Sequence, residues 1–147
     1  MLVIASIFSA CGEKTFYTNT IDFDQQKWFY ENTIDFEFEI TDLKSKYDLL
    51  LDIDLSKDYT YQNIYVKIFT HYPSGKVVED LVSLDVMDKF GKWNGDCNSS
   101  KCTIQLQLQK NTMFPESGKY RIRMEQHMRE DPISELSGMT FKIINSE

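Results

Sequence analysis

Cys11 stands directly after ten residues, Met1-Leu-Val-Ile-Ala-Ser-Ile-Phe-Ser-Ala10, all apolar or small, and that placement defines the first chemistry the chain can support. The run is too short to cross a bilayer, which takes about 20 apolar residues. It has the length of a signal-peptide hydrophobic region, about 7 to 15 residues, and Ser9-Ala10 supplies the small residues of a cleavage point. A cysteine at that border offers a thiol for a diacylglycerol and, once the leader is removed, an amine for a further acyl chain. One chain binds a membrane marginally, at about 0.8 kcal/mol per buried CH2, so two or three make a stable anchor. The expectation is a lipoprotein signal peptide over 1–10, lipidation at Cys11, a lipidated tether over 11–21, and one domain over 22–147. No Lys or Arg precedes the apolar run, a departure from the usual basic start.

With Cys11 lipidated, Cys97 and Cys102 remain as a pair. They flank Asn98-Ser-Ser-Lys101, a polar turn suited to reversing the chain. In an exported domain a disulfide is expected there; the alternative is two free thiols beside a loop. Closing so short a loop contributes about 2 kcal/mol, enough to staple a hairpin tip without holding up the fold.

Catalytic chemistry is sparse. Both histidines, His71 and His127, fall on polar faces of their segments, the second among arginines. Asp48, Asp52, Asp54 and Asp58 have calcium-type side chains, but alternation explains three of them as the wet face of a strand. No Gly-rich phosphate loop, metal-ligand spacing or nucleophile elbow occurs. The chain reads as a non-enzyme with no cofactor and no metal. Its net charge of −7 argues against nucleic acid, whose backbone is bound by clustered Lys and Arg.

Aromatics carry more information. Trp28, Tyr59, Tyr61, Trp93 and Tyr120 stand at strand ends or in loops, where such side chains anchor protein interfaces or stack on sugars. They equally serve to close the ends of a sandwich, with Gly91 and Gly95 letting the backbone turn beneath Trp93, and structural use is the stronger of the two readings. Tyr59, Tyr61, Trp93, Tyr120 and Arg129 are the candidate interaction residues.

The elements that must position these groups are strands. Ile34, Phe36, Phe38 and Ile40 alternate with Asp35, Glu37 and Glu39; Tyr47 to Leu55, Ile104 to Gln109 and Tyr120 to Arg129 repeat the period of two. Ile64 to Tyr72, Val77 to Met87 and Met139 to Ile144 are rich in β-branched and aromatic residues. Pro73-Ser-Gly75, Gly91 to Gly95, Pro115 to Gly118 and Asp131-Pro132 separate them. Seven or eight short strands at this spacing predict an all-β, antiparallel β-sandwich. The acidic stripe Asp35, Glu37, Glu39 and the basic stripe Arg121, Arg123, Arg129 predict that their two strands lie side by side, since opposite charges across a pair contribute about 0.2 to 1 kcal/mol each.

Tyr59-Thr-Tyr61-Gln-Asn63-Ile64, Gly91-Lys-Trp93-Asn-Gly95, Gly118-Lys-Tyr120, Gln126-His-Met128-Arg129 and Ile133 to Gly138, in that order, resemble the gliding-motility lipoprotein GldH family of the Bacteroidota. The resemblance spans about residues 28 to 144 and extends to the lipoprotein leader. It implies a non-enzymatic outer-membrane lipoprotein that supports gliding motility and the type IX secretion of surface adhesins by docking other gliding-motility or envelope proteins. Family members also occur in bacteria that do not glide, so an envelope accessory role is the wider expectation. The resemblance brings no catalytic residues. Gly12-Glu-Lys-Thr after Cys11 lacks the acidic run of a surface-export signal, which favours a periplasmic-facing domain. A carbohydrate- or peptidoglycan-binding sandwich is the second reading, served by the same aromatics.

Overall fold

The computed structural model describes residues 14–146. The expected leader over 1–10, Cys11 and the first residues after it lie outside the described residues. Alternation in the sequence becomes eleven strands: β1 (Thr15–Asp22), β2 (Lys27–Trp28), β3 (Ile34–Ile40), β4 (Tyr47–Ser56), β5 (Asn63–His71), β6 (Val77–Asp85), β7 (Asp96–Cys97), β8 (Lys101–Thr112), β9 (Gly118–Gln126), β10 (Ile133–Ser134) and β11 (Leu136–Asn145). A five-stranded sheet runs in the order β1-β11-β4-β8-β7, a four-stranded sheet in the order β3-β9-β5-β6, and β2 and β10 form a small ribbon. Every pairing is antiparallel. The sandwich is as expected, but with eleven strands among the described residues rather than seven or eight. Three of them, β2, β7 and β10, are two-residue pairings too short to leave a period in the sequence.

The two sheets meet through their apolar parities. Phe36 and Phe38 of β3 reach across to Phe141 of β11, with ring centroids 5.4 and 6.1 Å apart. Leu51, Ile53, Leu55, Ile104, Ile122 and Met124 fill the layer between them. Buried apolar surface stabilises at about 25 cal/mol per Å², so this layer dominates the fold. Trp28 is fully buried and donates its indole N–H to the Asn32 carbonyl at 2.6 Å, which fixes the chain entering β3.

One expectation changes, and a second holds except at one residue. Residues 15–21, read as tether, belong to β1, whose register against β11 runs from Thr15↔Ile144 to Asp22↔Gly138. Tyr17 turns inward there onto Phe38 and Phe141, at 5.5 and 6.1 Å. An edge strand buries only one side chain in two or three, so its period was hidden among Thr and Asn. Second, the acidic and basic strands do lie side by side, with Asp35↔Arg123 and Glu37↔Arg121 in register. Arg129 is not part of that stripe, because β9 ends at Gln126.

The strands give the sandwich two poles. Thr15, the loop 41–46, the turn 73–76, the end of β8 and the loop 113–117 gather at one. The loops 29–33, 57–62, 86–95 and 127–132 gather at the other. A ten-residue strand such as β4 separates them by about 30 Å.

Candidate functional site

At the pole farther from Thr15, the outer face of the four-stranded sheet opens into a groove of about 1070 Å³, lined by Tyr30, Tyr61, Asn63, Tyr65, Leu81, His127, Met128, Arg129 and Glu130. Tyr65 of β5 and Leu81 of β6 point outward because their parity is opposite to that of buried Ile64, Val66 and Leu84. Leu81 is 61 % exposed, an uncommon position for a leucine in mid-strand. Tyr30 and Tyr61 come from the loops preceding β3 and β5.

The groove is built by a loop held from beneath. Gln126, 3 % exposed at the end of β9, donates its side-chain N–H to the Glu130 carbonyl at 3.0 Å and accepts the Met128 N–H at 2.8 Å. Both ends of one buried amide are therefore satisfied by the loop 127–130. The tyrosines then tie onto that loop: Tyr61 donates its hydroxyl to Glu130 Oε2 at 2.8 Å, Tyr30 donates its hydroxyl to the Met128 carbonyl, and the Tyr30 N–H reaches Asp131 Oδ1 at 2.9 Å. The hydrogen bond to Glu130, with the carboxylate charge beside it, raises the Tyr61 hydroxyl above the ordinary tyrosine range, so Tyr61 stays a donor. Tyr30 and Tyr61 thus present aromatic faces with engaged hydroxyls, a character suited to binding.

The candidate residues named from sequence separate here. Tyr61 and Arg129 meet in the groove. Tyr59 does not: it is 4 % exposed, donates its hydroxyl to the Asn63 carbonyl at 2.8 Å and stands behind Tyr61 at 5.8 Å between ring centroids. Burial pushes its hydroxyl well up. Tyr120 is likewise a core residue, at the opposite pole, stacked on Phe38 at 5.6 Å and bonded to the Glu116 carbonyl at 2.8 Å. Trp93 is half-buried, bridged to Met87 and packed on the core. Tyr59 and Tyr120 are therefore unavailable to a partner. An aromatic ring large enough to anchor an interface is also the ring that best closes a sandwich end, and parity alone does not distinguish the two. Sequence reasoning missed Tyr30, Tyr65 and Leu81; an apolar residue on the polar parity of β6 was the available signal for Leu81.

Cys97 and Cys102 are joined as expected, facing each other across the β7–β8 hairpin. Asn98 Oδ1 accepts the N–H groups of Ser100 and Lys101 at 3.0 and 2.8 Å, which shapes the turn. The four aspartates with calcium-type side chains are spread out. Asp52 pairs with Lys142 at 2.6 Å, Asp54 accepts from Thr103 at 2.7 Å, and Asp48 accepts from Ser146 at 2.6 Å. Among the described residues no three metal-ligating side chains converge. His71 lies against Arg121, whose Nη2 is 3.4 Å from Nδ1. Burial, then the charges of Arg121 and Arg123, lowers its pKa, leaving it neutral at pH 7.

Against known proteins, residues 15–143 match the family model described as GldH lipoprotein. The chain is 32 % identical over 150 aligned residues to the "Gliding motility lipoprotein GldH homolog" of Christiangramia forsetii, covering 96 % of this chain and 90 % of that protein. Among solved structures, a carbohydrate-binding module specific for non-crystalline cellulose aligns at TM-score 0.45 and 11 % identity, over 88 % of this chain and 74 % of that one. Dimeric latent PorU from Porphyromonas gingivalis aligns at TM-score 0.33 and 10 % identity, over 95 % of this chain and 14 % of that one. Both structural likenesses are too distant to bear on function. The family match begins at the first residue of β1 and ends within β11, so it takes in the whole sandwich and the groove: this chain belongs to the GldH lipoprotein family.

Proposed function

We propose that this chain is a non-enzymatic lipoprotein, anchored through Cys11 to the periplasmic face of the outer membrane, that supports gliding motility and the associated type IX secretion of adhesins by docking partner proteins in the groove of Tyr30, Tyr61, Tyr65 and Leu81. The observation that carries the docking reading is the Gln126-braced loop, onto which the exposed tyrosines Tyr30 and Tyr61 are hydrogen-bonded. Preorganised aromatic anchors lose little conformational entropy on binding. Membership of the family and the name of the Christiangramia forsetii relative support the motility context.

The test is complementation of a strain lacking this protein with a Tyr61→Ala, Leu81→Ala double variant, read by motility, adhesin secretion and in-cell crosslinking. The variant should accumulate to normal levels yet lose crosslinks through the groove and fail to restore motility. Full restoration of motility and secretion would sink the docking reading. Mass spectrometry of the mature N-terminus should find acylated Cys11, and an unmodified Met1 would remove the anchor. Peptidoglycan-fragment binding abolished by the same double variant would instead favour the glycan reading.

A further inference from the structure

The pole at which the chain enters the domain gathers lysines around exposed apolar side chains. In a protein of net charge −7 it carries Lys14, Lys44, Lys46, Lys76, Lys110 and Lys119, all exposed, out of a total of 16 Lys and Arg. The carboxylates there are engaged within the fold. Asp42 accepts from the Lys44 N–H and the Ser45 hydroxyl, Asp48 from Asn111 and Ser146, and Glu116 from Ser74, while Glu39 faces Lys119 across β3 and β9. Among these lysines stand Met113, Phe16 and Leu43, exposed by 51, 41 and 39 %. Three separate segments supply them. Asn145 N–H to the Lys14 carbonyl at 3.0 Å and Ser146 N–H to the Lys46 carbonyl at 2.9 Å tie two of them together through residues 145–146, and the Tyr47↔Thr112 pairing brings the third alongside.

The far pole is close to charge balance: Asp24, Glu31, Asp58, Asp88, Glu130 and Asp131 lie around it together with Lys27, Lys57, Lys89, Lys92 and Arg129. Lysines thus outnumber carboxylates at the end nearest the anchor, while the end bearing the groove is near balance.

We propose that the basic pole is a second membrane contact, resting on an anionic phospholipid surface with its lysines among the headgroup phosphates and Leu43 and Met113 in the interface. The inference rests on lipidation at Cys11. Four peptide steps from Cys11 to Thr15 span at most about 14 Å, so the pole is held within roughly one to two Debye lengths of the bilayer, where basic residues near anionic lipid are attracted. Lysines around exposed apolar side chains are the composition of an interfacial contact. A soluble acidic partner fits the lysines but leaves the nearness of the anchor unused. The consequence is orientation: with the basic pole down, the groove stands about 30 Å above the membrane, clear of the headgroups.

Hydrogen exchange of the native, acylated protein on phosphatidylcholine vesicles with and without phosphatidylglycerol tests this, with flotation to confirm attachment. Residues 41–46 and 110–117 should exchange at least about tenfold more slowly on the phosphatidylglycerol vesicles, and high salt should reverse the effect. A Lys44→Glu, Lys46→Glu, Lys110→Glu variant should still float but lose the protection. Flotation on both vesicle types with equal exchange at these loops overturns the contact while leaving the anchor standing. Failure to float on either overturns both. Protection that requires added envelope proteins and is absent on protein-free vesicles assigns the pole to a protein partner and overturns the lipid assignment.

Discussion

Arg123 grips Asp35 across the β3–β9 pair, donating from Nε to Oδ1 at 2.8 Å and from Nη2 to Oδ2 at 2.9 Å. This bidentate pair makes the charge stripes into a register lock, because a slip of one residue would turn Asp35 into the core. The hydrogen bonds from Arg123 hold the Asp35 carboxyl below its usual range, against a smaller opposing effect of burial. A depressed carboxyl pKa adds stability above the unfolded value of about 3.9, and that stability is lost as pH falls through the lower folded value. Both side chains remain about one-third exposed, so the pair is worth only about 1 kcal/mol. Asp35→Asn should therefore lower urea-measured stability by about that amount at pH 7, and the difference from the parent should close as the pH falls from the unfolded value through the lowered folded one.

Gln126 is the groove's brace. Gln126→Leu leaves the Met128 N–H and the Glu130 carbonyl without their partner, which should cost about 2 kcal/mol. Hydrogen exchange should rise at residues 127–131 well before it rises in β9. A uniform rise across the four-stranded sheet would mean that Gln126 supports the core and not the loop.

Tyr59 and Tyr61, two residues apart, should respond oppositely. Tyr59→Ala empties a buried ring position and should cost about 3–5 kcal/mol. Tyr61→Ala removes a ring that is 44 % exposed and should change stability by about 0.5 kcal/mol or less, while weakening partner capture. Thermal unfolding of the two variants reads the contrast directly; equal destabilisation would place Tyr61 in the core.

The Cys97–Cys102 bridge closes a loop with a sequence separation of 5. Replacing both cysteines with alanine should lower stability by about 2 kcal/mol, a melting shift of about 5 °C, with an unchanged far-ultraviolet spectrum. Two titratable thiols per chain in the native exported protein would contradict the bridge.

The sandwich, its long strands, the β3–β9 partnership and the cysteine pair were legible because each leaves a local signature. A half-buried strand writes a period of two, opposite charges mark neighbouring faces, and two cysteines around a polar turn lie within bonding reach. β1 was not legible, since an edge strand rich in Thr and Asn shows no dry face. The roles of the aromatics were only half legible. Tyr59 and Tyr61 have the same composition, the same segment and the same parity. What separates them is that the chain leaves Ser56 and turns so that one ring lies on the core and the other reaches Glu130, 69 residues further on.

The sequence by itself determined the class of this protein: its alternation, its acidity, its cysteines and the order of its short motifs set the fold and the family. Tertiary structure alone decided where its surfaces are. Tyr30, Tyr61, Tyr65, Leu81 and the 127–130 loop come from five separate stretches, and the basic pole comes from four more. A surface is a sum over residues distant in the chain, and only sheet pairing brings those residues to one place.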